Sequence, residues 1–162
     1  MSATDELIAR NRRYAGSFTG GSPGRPSLGM AVVACMDARM DVYALLGLSP
    51  GEAHVIRNAG GEVSEDALRS LTISQHELGT TEIILIHHTE CGMQTFTDKD
   101  LKQELLAETG HKPHWASLAF TDVDTDVRKS IARVKACAFL KHTHLVRGFV
   151  FDVTTGLLRE VS

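Results

Sequence analysis

Apolar and polar positions along the chain follow two different periods. Ala31-Val32-Val33-Ala34, Ala53 to Ile56 and Ile83-Ile84-Leu85-Ile86 are short apolar-rich runs with the length of buried strands. The first ends at Cys35, the second at Arg57, and the third opens on Glu82; a further run spans Leu145 to Phe151. Two longer stretches carry helical spacing. Between Ser64 and Gly79, Leu68, Leu71 and Leu78 share a face, Ser64 is placed to cap, Glu65 and Asp66 suit the helix dipole, and Gly79 stops the helix. Between Asp122 and Cys137, Val123, Val127, Ile131 and Val134 recur at spacings of four, four and three.

The segment after Ser2 is polar and helix-favouring, with Asp5 and Glu6 in its first turn, and reads as an arm that packs elsewhere. Gly16 to Gly29 is crowded with Gly, Pro and Ser and reads as a loop joining that arm to the body. The ending DVTTGLLREV predicts a small hairpin around Thr155 and Gly156. Strands alternating with helices predict an α/β fold, a mainly parallel central sheet flanked by helices with right-handed connections. We expect one domain over 1–162, with residues 1–28 as N-terminal arm and loop.

Composition narrows the choice of function. Hydrophobic residues make up 43% and charged residues 23%, ordinary globular usage, and 162 residues are enough for a core without disulfide staples. The net charge is -3 and no run of five like charges occurs, which speaks against a nucleic-acid partner. No apolar run approaches the roughly 20 residues that span a bilayer, and the first residues lack the pattern of a secretory signal. We therefore expect a cytoplasmic protein with no membrane partner. Three cysteines cannot all pair with one another, so metal binding or reactivity is the first question for them.

In open α/β sheets ligands collect beyond the carboxyl ends of strands. Cys35-Met36-Asp37-Ala38-Arg39 follows the first strand, and His88-Thr89-Glu90-Cys91 follows the third. His87 and His88 are adjacent and point to opposite sides of an extended segment, and the HxxC spacing selects His88. Two thiolates and an imidazole, Cys35, His88 and Cys91, suit zinc, and three ligands leave a fourth position where bound water loses a proton near neutral pH. Asp37 and Arg39 should pair. That pair would leave Asp37 an oxygen to accept a hydrogen bond from zinc-bound hydroxide; if the pair opens, Asp37 can itself take the fourth zinc position.

CMDAR at 35–39, RNAGG at 57–61 and HHTECGM at 87–93 together resemble the β-class carbonic anhydrases, through complete CxDxR and HxxC motifs in the right order. The chain is similar to the compact microbial and archaeal branch, since the glutamine and tyrosine lining plant-type pockets are not placed on it. The resemblance implies one zinc per chain on Cys35, His88 and Cys91, with Asp37 as resting-state ligand and Asp37 with Arg39 as catalytic dyad. It implies hydration of carbon dioxide to bicarbonate by a zinc-bound hydroxide, and a homodimer or homotetramer in which the N-terminal arm wraps a neighbour. Backbone around Ala59, Gly60 and Gly92 could approach so small a substrate.

Other readings sit beside these. Carbonyl sulfide or carbon disulfide hydrolysis would use the same zinc site, with specificity set by pocket width. A non-catalytic zinc or redox module would have Asp37 close the tetrahedron permanently. On local grounds Arg57 to Gly61 is simply a turn. His87 is read as packed or hydrogen-bonded, His111, His114, His142 and His144 as solvated loop, Cys137 as a lone thiol, and Trp115 as a packing or interface residue.

Overall fold

The computed structural model describes residues 2–162. Its centre is a five-stranded sheet of β1 (Met30–Cys35), β2 (Ala53–Asn58), β3 (Glu82–His88), β4 (Val146–Phe151) and β5 (Leu158–Val161), in spatial order β2-β1-β3-β4-β5. The first four strands are parallel, and β5 returns antiparallel along β4 through the predicted hairpin. The run Ala31 to Ala34 is fully buried, as an internal parallel strand must be.

Side-chain alternation divides the core between the two faces. On one face Ala31, Val33, Ile83 and Leu85 meet Leu71 of α3 (Glu65–Leu78) and Val134 of α5 (Val123–Ala136). Ser64 and Asp122 cap these helices, and Gly79 ends α3 with a left-handed φ of 74°, as the pattern predicted. Burying a side chain such as Leu71 contributes about 1.5–3 kcal/mol. Gly148 of β4 allows α5 to lie close, because a Cβ there would come within 2.3 Å of Val127 Cγ1. On the other face Val32, Ala34 and Ile86 meet Met40, Met93, Phe120 and Val42 of the short α2 (Val42–Leu46).

Two helices go beyond the sequence reading. α2 is only five residues long. α4 (Asp98–Thr109) buries no residue and carries only a short apolar stripe; its signal lay in its ends. Thr97 Oγ1 accepts from the Asp100 backbone N–H at 3.1 Å, and Gly110 closes the helix with a φ of 73°. The arm is α1 (Ala3–Ser17), started by a Ser2–Asp5 capping box and also without a buried residue.

Candidate metal centre

Because β1 and β3 are parallel neighbours, their carboxyl ends share one rim. Cys35 is the last residue of β1 and His88 the last of β3. Glu90 then takes a left-handed φ of 54°, which turns the chain and returns Cys91 to the rim. The two sulfurs and a ring nitrogen of His88 lie within 4.8 Å of one another, and all three residues are buried.

The histidine is oriented for ligation. Its Nδ1 lies 2.8 Å from the Thr89 carbonyl, which can only accept, so Nδ1 carries the proton and Nε2 faces the sulfurs. That Nε2 is buried without a hydrogen-bond partner. An orphaned imidazole nitrogen beside two buried thiols is the donor set that fits zinc. The Cys35 thiol is held well below its ordinary range, first by a hydrogen bond from Cys91 and then by His88 and the Asp37 backbone. Cys91 is pushed up because Cys35 takes the negative charge beside it. For His88, burial opposes the charged form, but Cys35 and the Thr89 carbonyl outweigh it and raise the net value. Such sharing of protons among donors is what a bound cation displaces.

Asp37 and Arg39 form the pair that the spacing predicts. Arg39 donates from Nε to Asp37 Oδ1 at 3.0 Å and from a terminal nitrogen to Oδ2 at 2.8 Å, and its backbone N–H reaches Oδ1 at 2.9 Å. These bonds, the side-chain ones first, hold the Asp37 carboxyl well below the usual carboxylate range. Arg39 also donates to the Glu90 carbonyl at 3.1 Å, tying the two rim loops together. Asp37 Oδ2 stands 3.6 Å from His88 Nε2, at the edge of the ligand cluster. A cavity of about 300 Å³ opens there, lined by Cys35, Met36, Asp37, Ala59, Gly60, Cys91, Gly92, Met93 and Phe96.

A family model described as carbonic anhydrase matches residues 30–158. The whole chain is 55% identical, over 163 aligned residues, to β-carbonic anhydrase 1 of Mycobacterium tuberculosis strain H37Rv, covering 100% of this chain and 99% of that one. The chain belongs to the β-carbonic anhydrases. Its activity is the interconversion of carbon dioxide and bicarbonate. A crystal structure of carbonic anhydrase from Streptococcus mutans superimposes with a TM-score of 0.94 at 40% identity, covering 100% of this chain and 99% of that one. A carbon disulfide hydrolase of Acidithiobacillus thiooxidans is less similar, 35% identical over 150 residues, covering 79% of this chain and 74% of that protein.

In this carbonic anhydrase the segment 57–61 does more than turn the chain. Arg57 donates to the Cys35 carbonyl at 2.9 Å and to the Asp37 carbonyl at 2.7 Å, fixing the loop that carries the cysteine and the carboxylate. The Asn58 side chain closes the loop by bonding both the N–H and the carbonyl of Glu62, each at 2.8 Å. Gly61 has a φ of 73°, and a Cβ there would come within 2.8 Å of both the Cys35 nitrogen and the Ile86 carbonyl. Local sequence reads only the turn, because these partners arrive from β1 and β3. Ala59, Gly60 and Gly92 line the cavity.

His87 is fully buried on the opposite side of β3 from His88, as strand alternation requires. There it meets Glu62 and Asp126, a second group of donors that sequence reasoning missed. Burial holds His87 below its ordinary value. His111, His114, His142 and His144 join no metal-holding cluster among the described residues. Cys137 caps α5 as a partly buried free thiol, and Trp115 is 48% exposed.

Proposed function

We propose that this carbonic anhydrase activity runs on one zinc ion per chain held by Cys35, His88 and Cys91, with Asp37 and Arg39 as its catalytic dyad, all within a single domain over 1–162. The observation that carries this reading is the buried, partnerless His88 Nε2 facing two buried cysteines, with Asp37 Oδ2 3.6 Å away. Zinc bound there would supply a Lewis acid that acidifies a water molecule near neutral pH. Asp37 accepts a hydrogen bond from the attacking water and so orients it toward carbon dioxide. Arg39 fixes both carboxylate oxygens and keeps Asp37 ionised. While that pair stays closed Asp37 serves the substrate; released from Arg39, its carboxylate would be free to serve the ion as a fourth ligand. Met93, Phe96 and Ala59 give the cavity an apolar wall suited to an uncharged linear gas.

The chain acts as a homodimer or homotetramer built through its arm. α1 buries none of its own residues and leaves Leu7, Ile8, Tyr14 and neighbouring Phe18 each more than half exposed. An apolar surface of that kind on a helix is matched by a second copy. A cytoplasmic setting suits the three free cysteines, two of which must stay reduced to bind metal. Metal content measured together with carbon dioxide hydration on the purified protein tests the assignment. One zinc per chain with rapid hydration supports it. Fast sulfide release from carbonyl sulfide or carbon disulfide with negligible hydration overturns the substrate, and no bound zinc overturns the ligand set.

A further inference from the structure

Behind the zinc ligands, across β3, lies a second group of donors that this mechanism does not use. Glu62 comes from the loop after β2, His87 from β3 and Asp126 from α5; they are 5%, 0% and 7% exposed. One ligand atom from each lies within 4.8 Å of the other two, and His87 Nδ1 is 3.3 Å from Asp126 Oδ2. Glu62 Oε1, Asp126 Oδ2 and both ring nitrogens of His87 are buried without a hydrogen-bond partner. His87 and Asp126 face one another, but polar atoms left without a hydrogen bond in one dry place are costly unless something joins them. The Phe120 ring lies beside the imidazole, the two centroids 5.8 Å apart. Arg133 and Lys129 of α5 act on Glu62 as weaker, opposing positive charges.

We propose that Glu62, His87 and Asp126 form a second cation site, which takes a divalent transition metal such as Zn²⁺ or Co²⁺. One imidazole nitrogen and two carboxylates are an accepted donor set for such ions, and two negative charges balance the double positive charge. Magnesium suits the site poorly, because it favours oxygen ligands and keeps several waters. The group is closed from solvent, so the ion would be structural. It would join the loop carrying Ala59 and Gly60, the strand carrying His88, and helix α5. Burial and the neighbouring Asp126 push the Glu62 carboxyl up to about 9, the direction expected of two carboxyls that share a buried place with no cation between them.

Cobalt separates the two sites by their ligands, because only a thiolate site gives intense sulfur-to-cobalt charge transfer. The intact protein, stripped by chelator under reducing conditions, is titrated with Co²⁺ while total binding and the near-ultraviolet spectrum are followed. The expected result is two equivalents bound, with the thiolate band accounting for one. Glu62→Gln and Asp126→Asn should each weaken the second equivalent by at least about tenfold and leave the thiolate band unchanged; His144→Ala should leave both. One equivalent in the unmodified protein overturns the proposal, and so does a second equivalent that survives both Glu62→Gln and Asp126→Asn. The unmodified titration stands even if a variant fails to fold.

Discussion

His87 and His88 are neighbours in sequence, yet they serve two buried clusters of opposite character. His88 joins two sulfurs on an open rim, beside a cavity and an exposed arginine; His87 joins two carboxylates between β3 and α5, with Phe120 beside it. The rim cluster is built from two short motifs at strand ends, while the inner one draws single residues from a loop, a strand and a helix. The difference teaches what each is suited to. A cluster at the carboxyl ends of parallel strands has access to solvent and substrate, and one sealed between sheet and helix can only hold the fold.

The largest expected effect breaks the rim cluster. Cys35→Ser or His88→Ala should abolish zinc binding and lower carbon dioxide hydration by at least about a thousandfold, since the metal's acidification of water is lost. Metal analysis and stopped-flow hydration check this, and the variants should keep their circular dichroism.

Gly61→Ala strikes the backbone between the two clusters. A methyl group there meets the Cys35 nitrogen and the Ile86 carbonyl while the backbone holds a left-handed conformation. The expected loss is about 2–4 kcal/mol of stability, combining overpacking with the left-handed penalty. A denaturant midpoint unchanged from the unmodified protein would show that the loop relaxes freely.

Asp37→Asn sharpens the rim by keeping the ligands and removing the carboxylate that Arg39 positions. Zinc content should stay at one per chain while kcat/KM falls about 10–100-fold. Equal activity in both proteins would remove Asp37 from the reaction.

The smallest effect concerns the inner cluster in metal-free protein. Glu62 binds its proton more tightly folded than unfolded, so its contribution is fully present below its ordinary value of 4.5 and is lost as pH rises toward about 9. The Cys35 thiolate tilts stability the other way. The Glu62 part is therefore read as the difference between wild type and Glu62→Gln, expected to change by up to about 1 kcal/mol per pH unit within that window. Parallel stability curves for the two proteins would contradict it.

Much of the molecule was legible before its structure. The apolar runs predicted the parallel strands, Ser64 with Gly79 and Asp122 with Cys137 bounded α3 and α5, and the CxDxR and HxxC spacings brought Cys35, Asp37, Arg39, His88 and Cys91 to one rim. These features are local: a period, a cap or a spacing of a few residues carries its own geometry. α4 escaped because its leucines, Leu101, Leu105 and Leu106, make only a short stripe among charged residues.

Tertiary structure alone decided the rest. Arg57 became a brace for the cysteine loop only when β2 and β1 lay in register, with Asn58 opposite Cys35. Glu62, His87 and Asp126 stand 25 and 39 residues apart along the chain, and no local rule links them. Their meeting depends on α5 crossing β3 and on Gly61 letting the loop approach the sheet. The sequence by itself determined which strands end in ligands, because alternation and spacing act within a few residues. Packing determined what lies behind those ligands, because burial brings together groups that the chain keeps far apart.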